Sequence, residues 1–406
     1  MTPVYYHQVA IDVPLYRLFT YQTTAPIPLG TRVLVSFRGK TVCGIVWAHV
    51  DTPDIAPNKI LPIRSVLADT TTLSPDWRAL IDFCARYYHH PVGQTAFTAL
   101  PSGLKQQQAA ALHPPERYFA LSEAGTAAPP PPPAHARKHD LWQALSQGPT
   151  PLSQLKRLQP QALKSMESWQ ESGWLTEHNG PSGRILPSQH QLNPDQQLAV
   201  TAVNASLGSF APYLLFGITG SGKTEVYFQV MAEALARQQQ VLFLLPEINL
   251  TPQLLARIQA RFEHVVCVVL HSQTAAGERT QNYLAAQSGR AQLIIGTRLS
   301  VFTPLPNLGL IVVDEEHDGS FKQDNDLRYQ ARDLAVWRAK QSQCPVILGS
   351  ATPSLESWQQ AKAGGYRLLT LSQRAHTAAT LPEVLIEDVG RQFLDSGFSK
   401  KTLAAL

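Results

Sequence analysis

The chain has 406 residues, with 44% apolar, 16% charged and a net charge of +4, which allows two to four domains with packed cores and permits a nucleic-acid partner without demanding one. No apolar run approaches the ~18 residues that span a bilayer, and Met1–Asp12 lacks the basic start and apolar stretch of a signal peptide. The four cysteines, at 43, 84, 267 and 344, form no CxxC pair, so membrane, secreted and zinc-bound classes drop out and a cytoplasmic chain with reduced thiols is expected.

Residues 1–107 read as a β-rich domain. Thr31–Ser36 and Thr41–Val50 are β-branched and bounded by Gly or Pro. Trp77, Leu80, Ile81 and Cys84 fall at helical spacing and predict a helix over Asp76–Tyr88. Five consecutive prolines, Pro129–Pro133, enter neither helix nor central strand and mark a stiff extended linker over 127–137. Three short helices, over Lys138–Gln147, Thr150–Leu158 and Gln161–Ser172, lead into Gly173–Thr176 and a turn at Gly180–Gly183. Three helices and a small wing make a winged-helix pattern over 108–185, in which Lys156, Arg157 and Lys164 either touch phosphates or form a solvated helix face.

From Asn193 onward, strand-like runs alternate with helical stretches: Tyr213–Phe216, Val241–Leu245, Val265–Leu270, Gln292–Ile295, Leu308–Val313 and Val346–Leu348. Such alternation predicts an α/β lobe with a parallel sheet over 186–385. The stretch 386–406 completes no unit and reads as the start of a truncated remainder.

Gly217-Ile218-Thr219-Gly220-Ser221-Gly222-Lys223-Thr224 fits GxxxxGK[ST], after a strand and before a helix over Glu225–Arg237. Glycines let the backbone fold so that several N–H groups point at one phosphate, and the helix N-terminus adds positive dipole character. Lys223 is expected to reach the β- and γ-phosphates and the Thr224 hydroxyl to hold Mg²⁺. Leu310-Ile311-Val312-Val313-Asp314-Glu315-Glu316-His317 is a buried-strand run ending in carboxylates. Asp314 is expected to coordinate the same Mg²⁺ through water, and Glu315 to polarise the attacking water. A Gln amide carries a donor and an acceptor side by side, matching an adenine edge; Gln196 is the candidate, with Gln197 the alternative.

The order of further short motifs carries a resemblance. Leu192–Gln196 resembles a Q motif, Pro246–Gln253 motif Ia, Gly296-Thr297-Arg298 motif Ib, Asp314–His317 a DExH box and Gly349–Pro353 the SAT element of superfamily 2 helicases. Asp314–Asp333, DEEHDGSFKQDNDLRYQARD, resembles the DExH box and aromatic-rich loop of the PriA family of replication-restart helicases. That likeness implies a RecA-like lobe behind a winged helix and a domain that binds the 3′ end of DNA. It implies phosphate contacts along one DNA strand by Thr297 and Arg298, base stacking and phosphate contact by Phe321, Lys322, Arg328 and Tyr329, and coupling of nucleotide state to DNA by His317, Ser350 and Thr352. In the N-terminal domain it implies that Phe19 and Tyr21 frame a terminal base beside Gly39, with Lys59 toward a phosphate; core packing of the two aromatics is the alternative. Two positions depart from the family pattern: Leu327 stands where a Trp is common, and Thr20 where an acid often sits between the aromatics.

The resemblance implies ATP and Mg²⁺ as cofactors, 3′→5′ unwinding, and forked and single-stranded DNA as partners. Single-strand DNA-binding protein and other primosome proteins follow by the same likeness, as does a nucleoid-associated location. Family members carry zinc in a later cysteine-rich module whose ligands this sequence lacks. The second lobe, with its arginines, is also missing, so the chain alone is expected to bind nucleotide weakly, hydrolyse it very slowly and unwind nothing. The competing readings are a non-catalytic fork-binding module and an unrelated P-loop ATPase.

Overall fold

The computed structural model describes residues 3–53, 55–69, 72–114, 117–179, 191–263, 265–374, 386–390 and 394–405. The predicted Gly180–Gly183 turn and the expected boundaries at 185/186 and 385/386 lie wholly or partly outside them.

The first unit is an antiparallel sheet of strands β1 (Tyr5–Ile11), β2 (Phe19–Thr23), β3 (Arg32–Phe37), β4 (Lys40–Val50) and β5 (Ser65–Val66), in the order β2-β1-β4-β3-β5. Alternation sends Val9, Ile11, Tyr21, Val33, Val35 and Val46 into one core. One short segment bonds β2 at one edge and β3 near the other: Gln22 N donates to Leu61 O and Ile63 N to Gln22 O, while Arg64 N donates to Leu34 O. The sheet therefore curls toward a barrel and hides its edges. Helix α1 (Pro75–Tyr87) starts at Ser74, whose hydroxyl accepts the Trp77 N–H, and α2 (Val92–Ala99) follows.

The second unit is small. Strand β6 (Arg117–Leu121), helices α3 (Glu123–Ala127) and α4 (Ala136–Ser146), strand β7 (Thr150–Pro151), helices α5 (Leu152–Leu158) and α6 (Ala162–Glu171), and strand β8 (Leu175–Asn179) follow in order. The sheet order is β7-β6-β8. Phe119, Leu141, Trp142, Leu155, Met166 and Trp169 fill its core. The proline run joins α3 to α4 inside this unit, so the linker separates elements rather than domains. Lys156, Arg157 and Lys164 are exposed.

The third unit is the lobe. It runs α7 (Pro194–Asn204), β9 (Ala211–Gly217), α8 (Lys223–Ala236), β10 (Gln240–Leu244), α9 (Pro252–Arg261), β11 (Cys267–Leu270), α10 (Ala276–Gln287), β12 (Leu293–Gly296), β13 (Leu308–Asp314), α11 (Ala331–Gln341), β14 (Pro345–Ser350), α12 (Leu355–Lys362) and β15 (Arg367–Leu371). A last helix, α13 (Lys400–Ala405), stands apart in sequence. All seven strands are parallel, in the order β11-β12-β10-β13-β14-β9-β15. Strands β10 and β13 are buried nearly throughout because helices cover both faces. All six expected strands are present, and β15 joins them at an edge.

The first unit is fastened to the lobe. Trp77 Nε1 donates to Phe302 O at 2.8 Å, Gln287 Nε2 to Thr72 O at 2.9 Å, and Phe83 stacks on Trp337 at 4.7 Å. One apolar core runs through α1, α2 and the lobe.

Candidate nucleotide site and nucleic-acid interface

Strand order explains the nucleotide site. The phosphate loop leaves β9, the acids leave β13, and β14 lies between them. All three open at the carboxyl end of the sheet, where α/β folds bind ligands. Gly220 and Gly222 adopt φ of +79° and +82°, a conformation that a Cβ disfavours. Thr219, Gly220, Ser221, Gly222, Lys223 and Thr224 line a cavity of about 470 Å³ with Gln196, Arg257, Asp314 and Glu315. Gly217 and Ile218 form the root of the loop, where Ser221 N donates to Ile218 O. Lys223 Nζ donates to Gly217 O at 3.0 Å and lies 3.9 Å from Glu315 Oε1.

Gln196 is buried, and its amide has two protein partners. Its Oε1 accepts from Asn193 N in a capping box and its Nε2 donates to Ser221 O, both at 2.9 Å. One N–H and one lone pair remain for a base edge. Gln197 is exposed and donates to Thr201 Oγ1, away from the cavity.

Asp314 ends β13 with its Oδ1 accepting from the Tyr227 hydroxyl at 2.9 Å. Burial, and then the charge of Glu315, push its carboxyl up to about 6. Glu315 has φ of +47°, the left-handed turn that ends the strand and carries its carboxylate toward Lys223. His317 Nδ1 lies 2.8 Å from Ser350 Oγ and 3.5 Å from Glu315 Oε2, and its Nε2 lies 3.4 Å from Thr352 Oγ1. His317 thus joins the acidic strand end to the SAT segment.

A hydroxyl and a carboxylate, Thr224 and Asp314, share the cavity. Hard oxygen donors suit Mg²⁺, which takes one or two carboxylates and completes its shell with phosphate and water. Among the described residues no group of three or more His, Cys, Asp or Glu gathers as for a metal held by protein alone. The donor set therefore fits Mg²⁺ held together with a nucleotide.

The expected DNA contacts divide. Lys322 and Arg328 are exposed, with Lys322 Nζ donating to Arg328 O at 3.0 Å. Phe321 and Tyr329 are 0% and 1% exposed, which corrects their reading as stacking surfaces. They fold under the loop with Leu327, and Tyr329 meets Phe302 edge-on at 4.9 Å. Arg298 Nη1 donates to Ser320 O and Lys322 O, so it shapes that loop from below, while Thr297 is buried beside it.

In the first unit, Tyr21 is 4% exposed and donates to Ser36 O at 2.9 Å, so it is a core residue and does not frame a base. Phe19 is half-buried, edge-on to Phe37 at 5.0 Å, with Arg17 over its ring at 5.2 Å. Gly39, with Arg38, forms the left-handed turn between β3 and β4. Lys59 is exposed at the end of a short 3₁₀ turn.

Two site residues lie outside every motif, and a third, Glu316, fills the variable position of the DExH box. Tyr227 sits four positions after Lys223 and reads from sequence as one more apolar helix residue. Arg257 is exposed on α9 and reaches the cavity rim. Glu316 is fully buried and accepts from Ser354 N, Ser354 Oγ, Ser357 Oγ and Arg332 Nη1, tying the acidic strand end to α11 and α12.

A parallel lobe whose phosphate loop and acidic strand end share one cavity defines a P-loop nucleotide-binding lobe of the helicase type, and residues 193–361 match the DEAD/DEAH box helicase family. Residues 8–101 match the PriA 3′DNA-binding domain (3′BD). The chain is similar to "Replication restart protein PriA" of Haemophilus influenzae, 35% identical over 98% of this chain and 56% of the relative. It is 41% identical to the Rickettsia prowazekii protein of that name over 95% of this chain and 48% of the relative. A 169-residue stretch is 52% identical to the Synechocystis protein, covering 41% of this chain and 20% of the relative. The chain belongs to the PriA family, and it spans about half the length of the curated relatives that it matches along most of its own length.

Proposed function

We propose that this chain is the nucleotide-binding and DNA-engaging part of an ATP-driven 3′→5′ DNA helicase that acts in replication restart. The observation that carries the reading is the meeting of Lys223, Thr224, Asp314 and Glu315 in one cavity, with Lys223 Nζ 3.9 Å from Glu315. The loop amides and Lys223 hold the phosphates of ATP, with Thr224 and Asp314 holding Mg²⁺, which when bound supplies positive charge beside the phosphates. Glu315 accepts the proton of the attacking water. His317, Ser350 and Thr352 carry the state of that site toward the DNA face. Lys322 and Arg328 take the phosphates of single-stranded DNA.

Polarity, fork preference and 3′-end binding rest on likeness to the family, as do single-strand DNA-binding protein and other primosome proteins as partners and a cytoplasmic, nucleoid-associated setting. The division into 1–107, 108–185 and 186–385 is part of the same reading. No described helix is long and apolar enough to cross a membrane. With one parallel lobe among the described residues, we expect slow turnover by this chain alone, because arginines from a second lobe stabilise the transferring phosphoryl in such motors.

The test is binding of a fluorescent ATP analogue with Mg²⁺. Lys223→Ala should abolish it, and Glu315→Gln should keep binding while stopping DNA-stimulated turnover in a full-length protein carrying this chain. Nucleotide binding indifferent to Lys223→Ala would sink the motor reading. Unchanged fork binding without nucleotide dependence would instead favour a docking module.

A further inference from the structure

The loop expected to stack DNA bases hides its aromatics, but a large ring stands exposed next to it. Tyr87, the last residue of α1, is 64% exposed. Its ring stacks on Phe83 at 5.4 Å and 21°, and Phe83 stacks on Trp337 of α11 at 4.7 Å and 18°. Three near-parallel rings therefore run from the lobe, through the first unit, to solvent. Tyr88 stands edge-on to Tyr87 at 4.9 Å, its hydroxyl accepting from Gln330 N at 3.2 Å where the aromatic-rich loop closes. Lys322 Nζ lies 5.9 Å from the Tyr88 ring centre.

An exposed tyrosine held on two sides by other rings gives up little freedom when a planar group settles on it. The charges nearby select the planar group: Lys322 is exposed and lies over the adjoining Tyr88 ring, the exposed Arg86 precedes Tyr87 on α1, and a strand with phosphates satisfies them as its bases stack.

We propose that Tyr87, backed by Phe83 and Trp337, is a stacking platform for a base of single-stranded DNA where the first unit meets the lobe. The platform rests on the functional reading above and adds a contact outside the helicase motifs. It places one base on the first unit while Lys322 and Arg328 hold the adjoining backbone, so one strand spans both units.

The experiment titrates the 406-residue chain against a fluorescein-labelled oligodeoxythymidylate, a 2-aminopurine oligonucleotide and a blunt duplex. Tyr87→Ala should weaken single-strand binding by about 5- to 150-fold. It should leave the salt dependence unchanged, because no charge is lost, and leave duplex binding and the melting temperature unaltered. Tyr87→Trp should keep both affinity and the stacking-induced quenching of 2-aminopurine. Single-strand affinity unchanged in Tyr87→Ala, or falling in step with duplex affinity, overturns the platform and leaves the nucleotide site untouched. A wild-type chain that binds no single strand overturns the platform and the DNA part of the functional reading together.

Discussion

The hydroxyl of Tyr227 donates to Asp314 Oδ1 at 2.9 Å from inside the lobe, beneath the residue that would hold Mg²⁺. The contact exists because Gly349, on the intervening strand β14, has no side chain: a Cβ there would lie 1.6 Å from the Tyr227 oxygen. Asp314 is thus oriented by a fully buried residue that does not line the cavity.

Removing that hydroxyl should misorient the carboxylate and leave it charged with one donor fewer. Tyr227→Phe is expected to keep the fold and weaken Mg²⁺-dependent nucleotide binding about tenfold, a typical loss for an outer-shell partner. Gly349→Ala should do more, because the new methyl displaces the ring itself. Titration of a fluorescent nucleotide against Mg²⁺ reads both, and wild-type affinity in Tyr227→Phe would show that the bond orients nothing that matters.

The raised carboxyl of Asp314 gives an opposite sign for stability and for binding. Its ordinary value is 3.8 and its folded value about 6, so between these the folded chain holds more protons than the unfolded one. Linkage then makes the ligand-free chain more stable as pH falls from 7 to 5, and less stable as pH rises through about 6. Mg²⁺ and nucleotide need the ionised form, so binding should weaken over the same fall. Asp314→Asn, which keeps an acceptor for Tyr227, should raise the melting temperature of the ligand-free chain at pH 7, flatten its pH dependence and abolish Mg²⁺-dependent binding. A melting temperature lowered by Asp314→Asn at pH 7 would mean that the buried charge is compensated in ways this geometry lacks.

Much of this lobe was readable beforehand because its signals are local. The strands at β9, β10, β13 and β14 are short apolar runs between turn signals, and the phosphate loop is a contiguous motif. Strand β15 escaped because it is a short edge strand, mostly exposed, whose leucines are broken by Thr370. The Tyr227–Asp314–Gly349 contact escaped because only the order β13-β14-β9 brings those residues together. The aromatics misled for a different reason: Phe321 and Tyr329 suit stacking on a base and packing in a core equally well, and composition does not say which. In β2, Phe19 and Tyr21 lie on one strand face, so both point toward the core side and only the ring nearer the edge stays partly open.

Burial of the loop aromatics predicts that stability and DNA binding separate within a few residues. Tyr329→Ala should cost about 3–5 kcal/mol, as for other buried aromatic truncations, read as a lowered urea midpoint. Lys322→Ala should stay within about 0.5 kcal/mol of wild type and instead weaken single-strand binding, lowering its log–log salt slope by about 0.7. Equal urea midpoints for Tyr329→Ala and wild type would return Tyr329 to the surface.

Two adjacent glutamates give the sharpest contrast. Glu315, with 28% of its side chain exposed, faces Lys223 and the cavity, whereas Glu316 is 0% exposed and accepts from Ser354, Ser357 and Arg332. Glu315→Gln removes a charge that sits at the cavity, so melting should change little while hydrolysis stops and nucleotide stays bound. Glu316→Gln takes from Arg332 its buried countercharge, leaving it only the half-exposed Asp333 at 2.9 Å, and turns an amide donor toward other donors. Breaking a buried pair from one side typically costs about 3–5 kcal/mol, and the segment released is the one that carries Ser350 and Thr352. Glu316→Gln should therefore melt early and, at a temperature where it is still folded, bind nucleotide with an affinity that no longer responds to single-stranded DNA. A Glu316→Gln chain that melts with wild type, or that keeps the DNA response, would reduce this carboxylate to a bystander in the turn that follows β13.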